Sequence, residues 1–266
     1  MSASFVTLSD GARLAVHTSG QGRDLVLVTG LGGTGAFWQP LAQMLENHFR
    51  IIRFDQRGIG QSERGTVAVD IAQLATDTLA VLEHVDAKDA LLLGHSTGGV
   101  ILQDLALRKP QRVAGLILSG TWARPNRYMT ELFRSRLVLL DTAPEEYAVM
   151  GAFLGYPPSY LEANSATFET VRKAAPKSSV QQKIVAERIA ALLAFDRSSE
   201  ISGITVPTMI QGAKDDLIVP AFLQRELSSL LPKAHLAMLP SGGHFFPESR
   251  TQVCAEQLLD WSKSVP

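Results

Sequence analysis

A serine set between small residues, Gly94-His95-Ser96-Thr97-Gly98, follows the apolar run Leu91-Leu92-Leu93 and precedes a stretch with helical spacing. A sharp turn from strand to helix crowds the backbone around its central residue. The flanking positions must therefore be very small, and the central hydroxyl is held out at the end of the sheet. That hydroxyl is a nucleophile for acyl transfer if a base takes its proton and a carboxylate holds the base in the right tautomer. The following N–H, that of Thr97, is placed to meet the oxyanion that such an attack creates. Both remaining groups occur downstream. After Val206-Pro207-Thr208-Met209-Ile210 come Asp215 and Asp216, and after His235-Leu236-Ala237-Met238-Leu239 comes Ser241-Gly242-Gly243-His244. Each lies just past an apolar run of strand length. The chain order is Ser96, then Asp215 or Asp216, then His244.

Other chemistries are carried less well. His95 adjoins the serine but is expected to point away from it and pack behind the strand. His17, His48, His84 and His235 are scattered without ligand spacing, and no paired-cysteine pattern accompanies them, so no metal and no cofactor are expected. Arg57, in the turn Asp55-Gln56-Arg57-Gly58, is expected to make a structural ion pair or backbone contact rather than to bind substrate.

The elements that must position these residues read as an α/β fold, a mostly parallel central sheet flanked by helices. Strands are predicted at Leu14 to Val16, Leu25 to Val28, Ile51 to Phe54, Ala90 to Leu93, Gly115 to Leu118, Thr208 to Ile210 and Leu236 to Met238. Helices are predicted over Asp70 to His84, where Ile71, Leu74, Ala75, Thr78, Leu82 and Val85 recur at helical spacing, and over Val100 to Arg108. From about Trp122 to Ser202 the rhythm changes to consecutive helices broken by prolines. Residues 1–121 and 203–266 are thus expected to form the core, and 122–202 an inserted helical cap over the strand ends, where open α/β sheets bind ligands. Trp122, Tyr128, Phe133, Met150, Phe153 and Tyr156 of the cap are expected to roof an apolar substrate pocket, about half of them only packing the cap onto the core, while Trp38 and Phe245, beside the oxyanion loop and His244, have better claims on it.

The 266 residues, 45% hydrophobic and 19% charged, suffice for one large domain with an insertion. A net charge of −1 offers no footprint for nucleic acid or an anionic membrane, so the expected partner is a small-molecule substrate. A homo-oligomer is left open. No stretch reaches the roughly 20 apolar residues of a membrane span, and Met1-Ser2-Ala3-Ser4-Phe5 has no secretory character, which reads as cytoplasmic. The single cysteine, Cys254, followed by Leu258 and Leu259, reads as an inert thiol on the buried face of a terminal helix.

Taken together these motifs resemble the α/β-hydrolases over essentially the whole chain. The resemblance extends to Val28-Thr29-Gly30-Leu31-Gly32-Gly33 and to Phe54-Asp55-Gln56-Arg57-Gly58-Ile59-Gly60-Gln61-Ser62. It implies that the first of these loops supplies the second oxyanion donor, the Leu31 N–H, and that Gly30 to Gly35 is not a phosphate loop. Thr29 stands where the family often has His, a change that bears on hydrogen bonding around the loop. In similar hydrolases the acid lies four residues before a proline, which selects Asp216 ahead of Pro220 and gives Asp215 to the turn. The serine nucleophile separates the chain from haloalkane dehalogenases and epoxide hydrolases of this fold, which carry aspartate there. The cap exit and the His244 loop are similar to aminoacrylate hydrolases, with 3-oxoadipate enol-lactonases in the wider neighbourhood. The resemblance implies small carboxylic esters, lactones, enamines or carbamates as substrates. The same fold also hosts cofactor-free haloperoxidases, carbon–carbon hydrolases, cofactor-free dioxygenases and hormone sensors.

Overall fold

Apolar runs too continuous for a strand with one wet face become strands buried on both sides. The computed structural model describes residues 3–231 and 233–266. Its sheet contains β1 (Ser4–Thr7), β2 (Arg13–Ser19), β3 (Arg23–Val28), β4 (Phe49–Phe54), β5 (Leu91–His95), β6 (Gly115–Ser119), β7 (Thr208–Ala213) and β8 (His235–Leu239). They lie in the order β1-β2-β4-β3-β5-β6-β7-β8, with β1 and β2 antiparallel to their neighbours and the rest parallel.

The two-residue period of a strand divides its side chains between two cores. Leu25, Leu27, Leu91, Leu93, Ile117 and Met209 face one cluster, in which Trp38, Phe246, Cys254 and Leu258 are buried. Val26, Val28, Leu92, Leu116, Leu118 and Ile210 face the other, with Leu74, Val81, Ile101 and Leu105. Helices cover both faces: α1 (Gln39–Leu45), α2 (Ile71–His84), α3 (Thr97–Arg108), α9 (Ala221–Leu230), α10 (Phe246–Ser249) and α11 (Thr251–Ser262). Asp70 caps α2 by accepting from the Gln73 N–H at 2.7 Å, which fixes its start where the spacing put it.

Between β6 and β7 the described chain holds α4 (Arg127–Thr142), α5 (Pro144–Gly155), α6 (Pro158–Ala163), α7 (Ala166–Lys173) and α8 (Ser179–Ala194), with no strand among them. Helix-compatible prolines open α5 and α6, and a Ser178–Gln181 capping box opens α8. No helix among the described residues is long and apolar enough to cross a membrane.

The strand order reverses at β3, with β4 on one side and β5 on the other, and at such a switch point the strand ends open a crevice. Register places Val28 opposite Gly94, so the loop after β3 and the turn after β5 emerge side by side. Ala213 pairs with Leu239 in the same way, which brings the loops after β7 and β8 together.

Arg57 is a structural cation. Its guanidinium donates to Asp77 at 2.8 Å twice and to Asp10 at 2.7 Å, with all three side chains buried. It ties the β4–α2 turn to α2 and to the β1–β2 hairpin. Arg57→Gln leaves two buried carboxylates short of their cation and is expected to cost about 3–5 kcal/mol of stability, measured as the shift in urea unfolding midpoint at constant slope; an unshifted midpoint would contradict the assignment.

Candidate active site

The turn after β5 is set by contacts too short for any side chain. A Cβ on Gly94 would lie 2.3 Å from the Gly98 carbonyl oxygen, and one on Gly98 would lie 2.1 Å from that of Val28. Between them Ser96 takes φ 54° and ψ −121°, a left-handed conformation that costs a non-glycine residue about 1–3 kcal/mol and persists only when its surroundings enforce it. Enforcement comes from the Ser96 N–H, which donates to Ser119 O at 2.8 Å, and from its carbonyl, which accepts from Thr121 Oγ1 at 2.9 Å. Helix α3 starts at the next residue, so its N-terminal partial positive charge sits beside the serine.

His244 and Asp216 are both buried, with Nδ1 and Oδ2 2.8 Å apart. An ionised carboxylate can only accept, so Nδ1 carries the proton and Nε2 keeps its lone pair. Asp216 is held by the N–H groups of Ile218 and Val219, both 2.8 Å from Oδ1. Asp215 instead accepts from the Gly242 and Gly243 N–H groups at 2.9 Å, bracing the loop that delivers His244. Two neighbouring aspartates thus do separate jobs, one facing the imidazole and one facing its backbone.

Ser96 and His244 line one cavity of about 470 Å³, together with Thr29, Gly30, Leu31 and Gly32. Gly30 lies against the serine: a Cβ there would be 3.5 Å from Ser96 Oγ. Among the described residues neither the Leu31 nor the Thr97 N–H has a partner, and Ser96 Oγ makes no hydrogen bond to His244. Nucleophile–base hydrogen bonds of unliganded sites are commonly loose and tighten when substrate binds.

His95 packs behind the strand as expected, and it also reaches the His244 ring. As an odd member of β5 it follows Leu91 and Leu93 onto the face covered by α1, α10 and α11, and it is buried there as packing requires. The His244 loop crosses that same face, so the two rings meet with centroids 4.7 Å apart, and His95 also borders the cavity. It stacks on Phe37 and meets Ser119 Oγ at 3.1 Å. Burial, reinforced by the neighbouring His244 imidazole, which would repel a second positive ring if both were protonated, drives its pKa well below the ordinary 6.5 and keeps it neutral.

Of the residues expected to line the pocket, Phe133, Tyr156 and Phe245 do so, and Trp38, Trp122, Tyr128, Met150 and Phe153 do not. Trp38 and Trp122 are fully buried in the two cores, where side chains next to strand ends are absorbed by packing. Tyr128 is 43% exposed, and its hydroxyl donates to Leu217 O beside the Asp216 loop. Phe153 is 53% exposed and packs on Phe168 outside the cavity. The other walls come from Phe37, Ile59, Tyr147, Ile184 and Val185, and the Tyr156 hydroxyl is anchored to Glu248 at 2.6 Å. Sequence reading overlooked Arg136, which also lines the cavity. Its signal was present: the buried stripe of α4 runs Met129, Phe133, Arg136, Leu140, an arginine at a core-facing position. Cys254 is buried and its thiol is pushed up to about 12.

The fold and this arrangement of elbow, acid and base define an α/β-hydrolase. Residues 25–251 match the family described as alpha/beta hydrolase fold, so the chain belongs to that family, and it is a hydrolase. A Variovorax paradoxus protein provisionally named carbamate hydrolase RutD is 34% identical over 249 residues, covering 92% of this chain and 94% of its own. Its counterpart in Azorhizobium caulinodans is 32% identical, with 93% and 94% covered. Among solved structures, a hydrolase from Pseudomonas aeruginosa superposes with a TM-score of 0.85 at 27% identity, covering 97% of each chain. The enol-lactonase of Burkholderia xenovorans shares the fold, with a TM-score of 0.88 at 24% identity and coverage of 98% and 100%.

Two consequences are measurable. Gly98→Ala drives a methyl into the Val28 carbonyl, so it is expected to cost about 2 kcal/mol or more and to lower the yield of folded protein; a melting temperature equal to wild type would contradict the steric account. His95, neutral when folded, binds a proton more readily when unfolded. Stability should therefore fall as the pH drops below about 6.5, and His95→Gln should flatten that acid limb in pH-dependent unfolding.

Proposed function

We propose that the protein is a serine hydrolase that cleaves a small ester, lactone, carbamate or related acyl substrate through an acyl-enzyme on Ser96. The observation that carries the reading is the buried Asp216–His244 pair opening onto the same cavity as Ser96, with two unpartnered N–H groups beside it. Ionised Asp216 holds Nδ1–H, so His244 Nε2 accepts the Ser96 proton as Oγ attacks the acyl carbon. The N–H groups of Leu31 and Thr97 and the α3 N-terminus take the negative charge that forms on the carbonyl oxygen. His244 then protonates the leaving group. Water, deprotonated by the same histidine, releases the acid and restores the serine. Helices α4 to α8 act as a cap, excluding solvent and shaping the acyl pocket. The names of the RutD relatives favour a carbamate within this class, and no metal or organic cofactor is needed for any step.

The test is the intact mass after exposure to a fluorophosphonate. Wild type is expected to gain one adduct and Ser96→Ala none, while Asp216→Asn, which reverses the imidazole tautomer, should slow turnover of any ester found by about 10⁴-fold. Absence of an adduct on wild type would overturn the reading, and oxygen uptake in its place would point to a cofactor-free dioxygenase.

A further inference from the structure

Among the described residues the cavity over Ser96 is lined by one permanently charged side chain, Arg136, and none of them gives that charge a hydrogen-bond or ion-pair partner. Four arginines are buried in the described structure, Arg53, Arg57, Arg136 and Arg188. Three have acceptors: Arg53 donates to Gln39 Oε1 at 2.6 Å, Arg57 to its two aspartates, and Arg188 to Gln56 Oε1 at 2.7 Å and to the Arg57 carbonyl. Arg136, 9% exposed, makes no hydrogen bond and no ion pair among the described residues, and its Nε is sealed from solvent without an acceptor. Its guanidinium is clamped between aromatic rings, 4.5 Å from the Tyr147 centroid and 5.7 Å from that of Phe133. Nη2 lies against Gly151, where an added Cβ would be 3.3 Å away. Gly151 and Tyr147 both line the cavity, so the fork is held at its wall.

Aromatic faces steady a guanidinium, but they do not satisfy its five N–H donors. A buried cation ordinarily has an acceptor. No aspartate or glutamate lines this cavity. The nearest acids on α5, Glu145 and Glu146, are spent at the surface on Lys177 and Arg172, each 2.7 Å away. The Tyr147 hydroxyl is likewise without a partner among the described residues, and burial raises its pKa, so it remains a neutral donor. A fixed planar fork beside a phenol O–H is complementary to a carboxylate, which accepts two parallel N–H bonds and has lone pairs to spare.

We propose that Arg136 and Tyr147 form an anion subsite for a carboxylate carried by the substrate in addition to its scissile acyl group, so that the enzyme acts on acidic half-esters, lactone acids or their carbamate equivalents. This rests on Ser96 being the nucleophile at the other wall of the cavity. It makes the single charge of the pocket a selector: an anion gains Arg136, whereas a neutral analogue leaves the guanidinium desolvated and unmet.

The test reads protection of Ser96 from fluorophosphonate by short dicarboxylates, using succinate, glutarate and adipate, with succinamide as the uncharged control. In wild type at least one of the dicarboxylates is expected to slow labelling competitively, and succinamide to protect far less. Arg136→Gln should raise the protecting concentration by about thirtyfold or more, the penalty for removing one partner of a buried charged pair, and Arg136→Lys should fall between. Unslowed labelling of wild type in the presence of all three acids, or protection that Arg136→Gln leaves unchanged, would overturn the subsite. If Arg136→Gln does not fold, the wild-type contrast between acid and amide decides alone, since equal protection by both removes the role of charge. Failure of wild type to label at all would instead overturn the nucleophile, so the two ideas fail separately.

Discussion

The site depends on backbone packed against backbone at the end of β5. Gly94 and Gly98 bring the end of β5, the start of α3 and the end of β3 closer than any side chain allows, Gly30 lies tightly against Ser96, and the left-handed Ser96 is the outcome of that compression. The strain is local and small beside the burial of the sheet, whose central strands are inaccessible on both faces. Because β3 and β5 are parallel neighbours, the same compression that lifts Ser96 also sets the Gly30–Leu31 backbone alongside it. The proposed nucleophile and the proposed oxyanion donors are therefore one construction, and altering either glycine contact disturbs both.

The helices between β6 and β7 are bound to each of the three loops that make the site. Helix α8 sends Arg188 to Gln56, whose amide donates to Thr29 O at 2.6 Å at the base of the oxyanion loop. Helix α5 ends at Gly155, whose carbonyl accepts from the Phe245 N–H at 2.8 Å, directly after His244. Helix α4 sends the Tyr128 hydroxyl to Leu217, directly after Asp216. Burial without a carboxylate lowers the Arg188 pKa to about 10, so this link consists of hydrogen bonds from a costly cation rather than of an ion pair. At Thr29 it is the carbonyl, not the side chain, that receives the amide linked to α8.

Sequence made the strand-end chemistry legible because each element there obeys a strong local rule. The elbow needs glycines at fixed offsets, a buried parallel strand needs a short apolar run, and a helix such as α2 needs a cap and a 3.6-residue period. Those rules yielded β2 to β8 to within a few residues and the placing of Ser96, Asp216 and His244. They missed β1, whose Ser4–Thr7 is mostly exposed and pairs only as a hairpin edge, so no apolar run announces it. Helix α1, short and opened by a proline after a 3₁₀ turn, was equally silent. Pocket residues failed for a different reason. Aromatic type says that a side chain will be buried, not whether it is buried in a core or at a cavity wall, and Trp38 and Trp122 went to the cores.

That failure separates two kinds of information in the chain. The candidate reacting groups follow strand ends, Ser96 directly after β5 and Asp216 and His244 on the short loops after β7 and β8, so their positions are tied to the strands that form the sheet. The cavity walls stand largely on α4, α5 and α8, where neighbouring turns offer several nearly equivalent ways to cover an apolar space. Hydrophobic positions there are interchangeable, and resemblance between relatives says little about which of them meet a substrate. A charge in such a stripe is different, because it cannot be exchanged for packing and must be answered by something. In this protein the informative residue of the helical half of the site is therefore the one that breaks the helix's hydrophobic pattern, Arg136, rather than the aromatic residues that conform to it.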